Sequence, residues 1–259
     1  MTDPQRIDFE ARGYLSLTMN ADILTQIQAA FDRSKDHLDD LPNRDDVFIT
    51  LAEHPDIFPF VHAILSDDIQ LRSITGFTAA PRSSGRGWHR ETASIQGVNH
   101  TRSTLCVEAY IQLDDTPPGG ANLMAVPTSY RFESDLPAIA RIQDMPHAVA
   151  LPGQAGSVAL LHGNLWQART RNQSHVSQRF LKLSFVHCWM RQALPVLSAH
   201  ASDLIGASKN LSQLFGLRDV ANAQGYWSGQ LETHSSETGI PDRKFSSLKV
   251  VGKGSAPNA

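Results

Sequence analysis

An imidazole and a carboxylate lie two residues apart in the segment Gly87-Trp88-His89-Arg90-Glu91. In an extended segment, the side chains at positions i and i+2 project to the same face. His89 and Glu91 can therefore converge on one metal ion, as two ligands of a mononuclear iron(II) facial triad do. Because such a triplet is common by chance, the rest of the chain has to support this interpretation.

Two later segments also combine polar side chains with β-strand patterns. Residues 109–127 contain Tyr110 in an apolar strand pattern, followed by an acidic turn, a Gly-rich loop and a return strand. Residues 153–167 contain another short strand pattern, with His162 and Gln167 near its end. These side chains are the further candidates for chemistry.

The elements that must position these residues form a β-rich region between helices. Short β-prone runs separated by Gly, Pro and Asn lie at residues 69–78, 105–113, 122–126, 148–151, 157–162 and 180–189. Many short strands with polar turns indicate an antiparallel sandwich or barrel. The predicted layout is one domain over residues 1–259, with a short entry strand 7–17, helices within 20–66, a β-core about 69–191, a helical cover 193–251 and a frayed tail 252–259.

The overall composition limits the classes of partner. The chain has 259 residues, 41% apolar and 19% charged, and a net charge of −3, which gives no reason to expect nucleic acid or an anionic membrane as a partner. No apolar run approaches the ~20 residues that span a bilayer, and Met1 to Arg6 lack a signal-peptide core. Cys106 and Cys188 lie in apolar runs and are predicted to be buried, reduced thiols. We therefore expect a cytoplasmic protein.

From about Phe9 to Trp189, the order and spacing of these segments resemble the phytanoyl-CoA dioxygenase family of iron(II)- and 2-oxoglutarate-dependent oxygenases. The resemblance implies a mainly β fold with flanking helices, namely a double-stranded β-helix (jelly-roll barrel) with the metal at its open end. It implies Fe(II), 2-oxoglutarate and O₂ as cofactor and cosubstrates, and a small-molecule substrate. Within this pattern His89 and Glu91 are the catalytic metal ligands.

The pattern leaves two candidates for the third metal ligand, Gln167 and His162. The family's distal histidine falls on Gln167 here, and Glu91 stands where aspartate is usual. An amide oxygen is a weaker donor than an imidazole, so Gln167 either binds the metal directly or hydrogen-bonds a metal-bound water. His162 is the alternative third ligand.

The resemblance also indicates residues for the cosubstrate and substrate. Arg179 matches the arginine that binds the far carboxylate of 2-oxoglutarate, and Tyr110 lies where the family places an aromatic side chain beside it. Several loop arginines are expected near the barrel mouth, where they suit an anionic substrate that carries a carboxylate or phosphate: Arg82, Arg86, Arg90, Arg102, Arg169 and Arg171.

Two functions remain open at this point. The favoured one is an oxygenase that oxidises a C–H bond, with hydroxylation as the default outcome. The alternative is a redox-inactive barrel that acts as a small-molecule binding protein or a non-oxidative catalyst, because Gln167 replaces a histidine. Metal analysis of the protein separates the two.

Overall fold

The structure is a computed structural model that describes residues 1–94 and 104–217. Its strands are β1 (Tyr14–Thr18), β2 (Ile69–Ala79), β3 (Arg86–His89), β4 (Cys106–Gln112), β5 (Leu123–Ala125), β6 (Val149–Ala150), β7 (Ser157–His162), β8 (Gln167–Arg169) and β9 (Gln178–His187). Its α-helices are α1 (Asp3–Arg12), α2 (Ala21–Arg33), α3 (Asp46–Thr50), α4 (Phe58–Leu65), α5 (Ala199–Gly206) and α6 (Lys209–Leu214).

The strands form two antiparallel sheets. The larger has the order β1-β7-β4-β9-β2 and the smaller has the order β3-β8-β5-β6. Helical residues such as Phe31, Phe48 and Phe58 pack with one face of the larger sheet in the main hydrophobic core. The predicted mainly β fold, a double-stranded β-helix with flanking helices, is confirmed.

Strand β9 shows how the larger sheet separates its two faces. Leu181, Leu183 and Phe185 are fully buried in the main core against the helices. The alternate residues Phe180 and Lys182 line a cavity on the other face. This period of two is the ordinary geometry of a strand, and it decides which side chains can reach the cavity.

The predicted entry strand is wrong in its first half. Residues 3–12 form α1, because Thr2 and Gln5 make a capping box and Pro4 suits the first helical turn. Gly13 then ends the helix in the left-handed conformation (φ 81°), and only β1 is extended. The next predicted helix is confirmed as α2, where the Asn20 side chain accepts the amide N–H of Asp22.

The C-terminal prediction is only partly covered by the structure. Helices α5 and α6 lie in the predicted helical cover, whereas residues 218–259, including the predicted tail 252–259, lie outside the described residues. Both cysteines are free thiols, as expected, but only Cys106 is buried and Cys188 is half-buried. Within the described ranges, none of the helices has the length and apolar character needed to cross a membrane.

Candidate active site

A cavity of about 270 Å³ lies between the two sheets. Apolar walls come from side chains such as Phe77, Leu123 and Phe180. Its polar lining includes Arg86, His89, Tyr110, Gln112, Arg169 and Lys182. Both the predicted metal ligand His89 and the predicted cosubstrate neighbour Tyr110 therefore line the same cavity.

The structure brings His89, Glu91 and Gln167 together. His89 is the last residue of β3, and Glu91 begins a single 3₁₀ turn, so that His89 Nε2 lies 3.4 Å from Glu91 Oε1. His89 is also the direct antiparallel partner of Gln167 on β8. Side chains of such a pair lie on the same face, with Cβ atoms about 4.5–5.5 Å apart.

The polar atoms of this group fit a metal ion. His89 Nδ1 lies 2.8 Å from the carbonyl oxygen of Gly87, which accepts its proton and leaves the Nε2 lone pair free. His89 Nε2 and both amide atoms of Gln167 are buried without a hydrogen-bond partner. Burying such atoms without partners is costly, and a cation bound here would accept the imidazole nitrogen, the carboxylate and the amide oxygen. In the described ranges 1–94 and 104–217, no third His, Cys, Asp or Glu joins this pair in a metal-binding group.

Glu91 is the electrostatic centre of the site. Its Oε1 lies 3.1 Å from Lys182 Nζ and 3.3 Å from Arg86 Nη1. Burial raises the pKa of Glu91, but the contact with His89 and the charges of Lys182 and Arg86 outweigh burial and hold this pKa well below its usual range. The carboxylate is therefore ionised and available as a ligand at neutral pH.

Lys182 and Glu108 form an ion pair that the sequence analysis missed. Lys182 Nζ lies 3.2 Å from Glu108 Oε2, and the Glu108 side chain is 1% exposed. The hydroxyl of Ser184 donates to Glu108 Oε1 at 2.6 Å, and the thiol of Cys106 donates to the same oxygen at 3.0 Å. The available signal was a carboxylate in an otherwise apolar strand, β4, and a lysine in the next strand of the sheet.

Tyr110 lies in the cavity wall directly opposite Lys182 in the β4–β9 register. Burial raises the pKa of its hydroxyl well above the usual range, despite the opposing charge of Lys182. The phenol is therefore neutral and can act as a hydrogen-bond donor towards a bound molecule. Its position agrees with the role expected beside the cosubstrate, which stays a prediction.

Arg179 is placed where it does not suit its predicted role. It lies on the other face of β9 from Lys182, and it is absent from the cavity lining. Its guanidinium is bound by Asp114 through Nε at 3.0 Å and Nη2 at 2.6 Å, and by Asp32 at 2.7 Å. The hydrogen bond to Asp114 raises the pKa of Arg179; burial opposes this effect and Asp32 adds to it. Because Asp32 belongs to α2, these ion pairs connect β9 to α2.

Arg169 lines the cavity without an acidic partner among the described residues. No carboxylate of the described residues lies within ion-pair distance of it, and its Nε is buried without a hydrogen-bond acceptor. The guanidinium lies 4.4 Å from the ring centroid of Phe77 and 5.8 Å from that of Phe180. Burial lowers the pKa of Arg169, which remains charged at neutral pH. An anion inside the cavity would supply the missing partner.

His162 points away from the site. It belongs to β7, where Ser157 and Ala159 line the cavity and His162 lies on the opposite face. Its Nδ1 accepts the amide N–H of Asn164 at 3.0 Å, and its ring lies 4.5 Å from that of Tyr130. His162 is therefore a buried packing histidine in this structure, which argues against it as the third ligand.

Of the arginines expected near the barrel mouth, Arg86 and Arg169 line the cavity. The Arg90 side chain turns elsewhere, since its guanidinium donates to the carbonyl of Ser134 and lies over the ring of Trp166. Arg82 and Arg171 are exposed, and Arg102 lies outside the described residues.

Solved structures support the same fold. HygX from Streptomyces hygroscopicus, with nickel and 2-oxoglutarate bound, superposes with a TM-score of 0.65 at 17% identity, over 74% of this chain and 89% of its own. EctD from S. alaskensis, with 2-oxoglutarate and 5-hydroxyectoine, gives a TM-score of 0.63 at 17% identity, over 72% of this chain and 76% of its own. SnoN, an α-ketoglutarate-dependent epimerase of nogalamycin biosynthesis, gives 0.61 at 16% identity, over 80% and 88%. A comparison with curated protein sequences finds no match.

The sequence profile of the phytanoyl-CoA dioxygenase (PhyH) family matches residues 15–180. This range includes all the strands from β2 to β8 and the group formed by His89, Glu91 and Gln167. Because the match spans more than half of the chain, the chain belongs to the phytanoyl-CoA dioxygenase family of Fe(II)- and 2-oxoglutarate-dependent oxygenases.

Proposed function

We propose that this chain oxidises a C–H bond of a small anionic molecule at the cavity between its two sheets. The reaction class follows from the family, whose members use Fe(II) and 2-oxoglutarate. The observation that supports this particular site is that His89 lies beside the Glu91 carboxylate and opposite Gln167 at a cavity, with His89 Nε2 and the Gln167 amide buried without hydrogen-bond partners.

In the proposed site, His89, Glu91 and Gln167 hold the iron, which when bound supplies the activation of dioxygen. The guanidinium of Arg169 takes the role predicted for Arg179 and binds a carboxylate of 2-oxoglutarate. Tyr110 donates a hydrogen bond to the same cosubstrate. The task of these side chains is to orient the reactants before the chemical step.

The apolar walls have a second task, which is to exclude water. Phe77 and Phe180 stack at a centroid distance of 4.8 Å beneath the Arg169 guanidinium. A dry wall strengthens the charge-assisted contacts of Arg169 and protects a strong oxidant from quenching by solvent.

The charges in and around the cavity support an anionic substrate. Arg86, Arg169 and Lys182 carry three positive charges. Glu91 and Glu108 carry two negative charges, so the net charge of this group is +1. A divalent metal and a dianionic cosubstrate cancel each other, so this positive charge remains for the substrate. A substrate that carries one carboxylate or phosphate ester complements it. Two structural relatives were crystallised with small molecules, hygromycin B in HygX and 5-hydroxyectoine in EctD.

The test is Fe(II)-dependent conversion of 2-oxoglutarate to succinate by the anaerobically prepared protein after addition of oxygen. We expect slow turnover with the cosubstrate alone and faster turnover with a matching substrate from a panel of small carboxylates and phosphate esters. Matched neutral analogues should not accelerate it, and His89→Ala should abolish it. If the folded parent binds neither Fe(II) nor 2-oxoglutarate by calorimetry, the oxygenase function is wrong and the redox-inactive barrel takes its place.

A further inference from the structure

Three side chains converge on one oxygen of the proposed metal ligand Glu91. Its Oε1 lies 3.1 Å from Lys182 Nζ, 3.3 Å from Arg86 Nη1 and 3.4 Å from His89 Nε2. A divalent cation held by His89 and Glu91 must share this carboxylate with the two positive side chains. Like charges this close repel strongly when water is excluded.

The two positive side chains, Arg86 and Lys182, differ in how easily they can move away from Glu91. The Arg86 side chain is 50% exposed and can turn into solvent, whereas the Lys182 side chain is only 15% exposed. Lys182 therefore remains beside Glu91 unless a second anion inside the protein accepts it.

Glu108 is that second anion. Its Oε2 lies 3.2 Å from Lys182 Nζ, while its other oxygen accepts hydrogen bonds from Ser184 and Cys106. The β4–β9 register holds this arrangement, since Tyr110 faces Lys182 and Glu108 faces Ser184. The ammonium thus lies between two carboxylates, one in the proposed metal site and one behind it.

We propose that Lys182 is a built-in counter-cation that competes with the divalent metal for Glu91 and is taken over by Glu108 when the metal binds. The inference rests on the proposed metal site at His89 and Glu91. In the metal-free protein Lys182 is paired with both Glu91 and Glu108 and so stabilises the fold. It has the opposite effect on metal binding, because its charge opposes the incoming cation.

These opposite effects give the test. Metal-free protein is titrated with Mn(II) by calorimetry, and free Mn(II) is followed by electron paramagnetic resonance. Lys182→Met should lower the Kd for Mn(II) by about tenfold or more. The same variant should melt at a lower temperature without metal and gain more stability from Mn(II) than the parent does. Lys35→Met, which removes an exposed lysine, is the matched control and should change neither quantity.

If Lys182→Met folds poorly, the effect of Lys182 on Mn(II) binding can be measured in the Glu108→Gln variant instead. Glu108→Gln removes the alternative partner and should weaken Mn(II) binding. The double variant Lys182→Met with Glu108→Gln carries a neutral pair in place of the ion pair, and it should bind Mn(II) more tightly than Glu108→Gln alone.

The outcomes separate this inference from the proposed function. If the parent binds Mn(II) and removal of Lys182 leaves the Kd unchanged or raises it in both backgrounds, the counter-cation role is wrong and the metal site stands. If Mn(II) binds only after Lys182 is removed, the competition is established in its strongest form. If no variant binds Mn(II), the metal site itself is wrong, and the inference falls with it.

Discussion

At the position of the third ligand, one side chain sets how tightly the site can hold a metal. Gln167 is fully buried opposite His89, and neither of its amide atoms has a hydrogen-bond partner. Gln167→His places an imidazole at the same cross-strand position, and an imidazole nitrogen is the stronger donor to Fe(II) or Mn(II). We expect a Kd for Mn(II) lower by about tenfold or more, measured by calorimetry.

The control for this variant is Gln154→His, which adds a histidine to an exposed loop and should leave the Kd unchanged. His162→Gln should also leave it unchanged, because His162 lies on the far face of β7. Loss of the metal in His162→Gln together with no gain in Gln167→His would show that His162 is the third ligand after all.

Arg169, and not Arg179, is placed to bind an anion in the cavity. Arg169 faces the cavity without an acidic partner, whereas Arg179 is bound by Asp114 and Asp32 outside it. Arg169→Leu should raise the Kd for 2-oxoglutarate by about ten- to a hundredfold, the value of a charge-assisted contact. Arg179→Leu should leave this Kd unchanged and lower the free energy of unfolding by about 1–3 kcal/mol. Calorimetry and urea denaturation measure the two effects, and the reverse pattern would restore Arg179 as the cosubstrate anchor.

At the scale of elements, the close approach of β3 to β8 positions the metal ligands. A Cβ atom on Gly85, the residue before β3, would lie 2.1 Å from the backbone oxygen of Arg169. Any side chain at this position must therefore push the chain away from β8. Since His89 and Gln167 are paired across these two strands, the glycine allows the close approach of the strands that carry them.

Gly85→Ala should weaken Mn(II) binding and lower the free energy of unfolding by about 1–3 kcal/mol, the usual cost of a forced backbone shift. Gly87→Ala is the matched control in the same segment, because a Cβ there meets nothing within 4 Å. Metal titration and thermal denaturation of the two variants give the comparison. Equal metal affinity in both would show that the separation of β3 and β8 is not what positions His89.

Strand periodicity also explains why Arg179 lies outside the cavity. Counting along the chain places Arg179 near the expected position for the cosubstrate arginine, but a shift of one residue in a strand moves a side chain to the other face. The fully buried Leu181 and Leu183 fix which face of β9 meets the helices. Arg179 shares their parity, and so it cannot line the cavity.

Over the whole molecule, patterns within one segment were predictable and pairings between segments were not. The approach of His89 to Glu91 and the helix α2 follow from local spacing and capping, although Glu91 begins a 3₁₀ turn instead of continuing the expected extended segment. The Lys182–Glu108 pair depends on the register of β4 against β9, and periodicity within one strand does not contain that register. Helix α1 was missed because its capping box and Gly13 cap, rather than an apolar stripe, define it.

The stability of the whole fold should depend on pH through His162. Burial lowers the pKa of His162 to about 4, against ~6.5 in an unfolded chain. Between these values the unfolded chain binds a proton that the folded protein excludes, so the free energy of unfolding falls as the pH falls, by about 3 kcal/mol for the full shift.

His162→Gln keeps an acceptor for the amide of Asn164 and removes the titrating group. Between about pH 7 and about pH 4.5, the variant should lose less of its free energy of unfolding than the parent does. Urea denaturation at both pH values measures this, with the exposed His175→Gln as the control. Parallel losses in all three proteins would mean that other groups cause the acid sensitivity.

The two faces of β9 also constrain how such a chain can diverge. Replacing Phe180, Lys182 or Ser184 changes the charge and shape of the cavity side, and the core packing of Leu181 and Leu183 is left in place. Inserting or deleting a single residue exchanges the two sets, so that an ammonium enters the apolar core and a leucine enters the cavity. Relatives that acquire new substrates through this strand should therefore differ by substitutions alone, and their sequences should align across residues 178–187 without gaps.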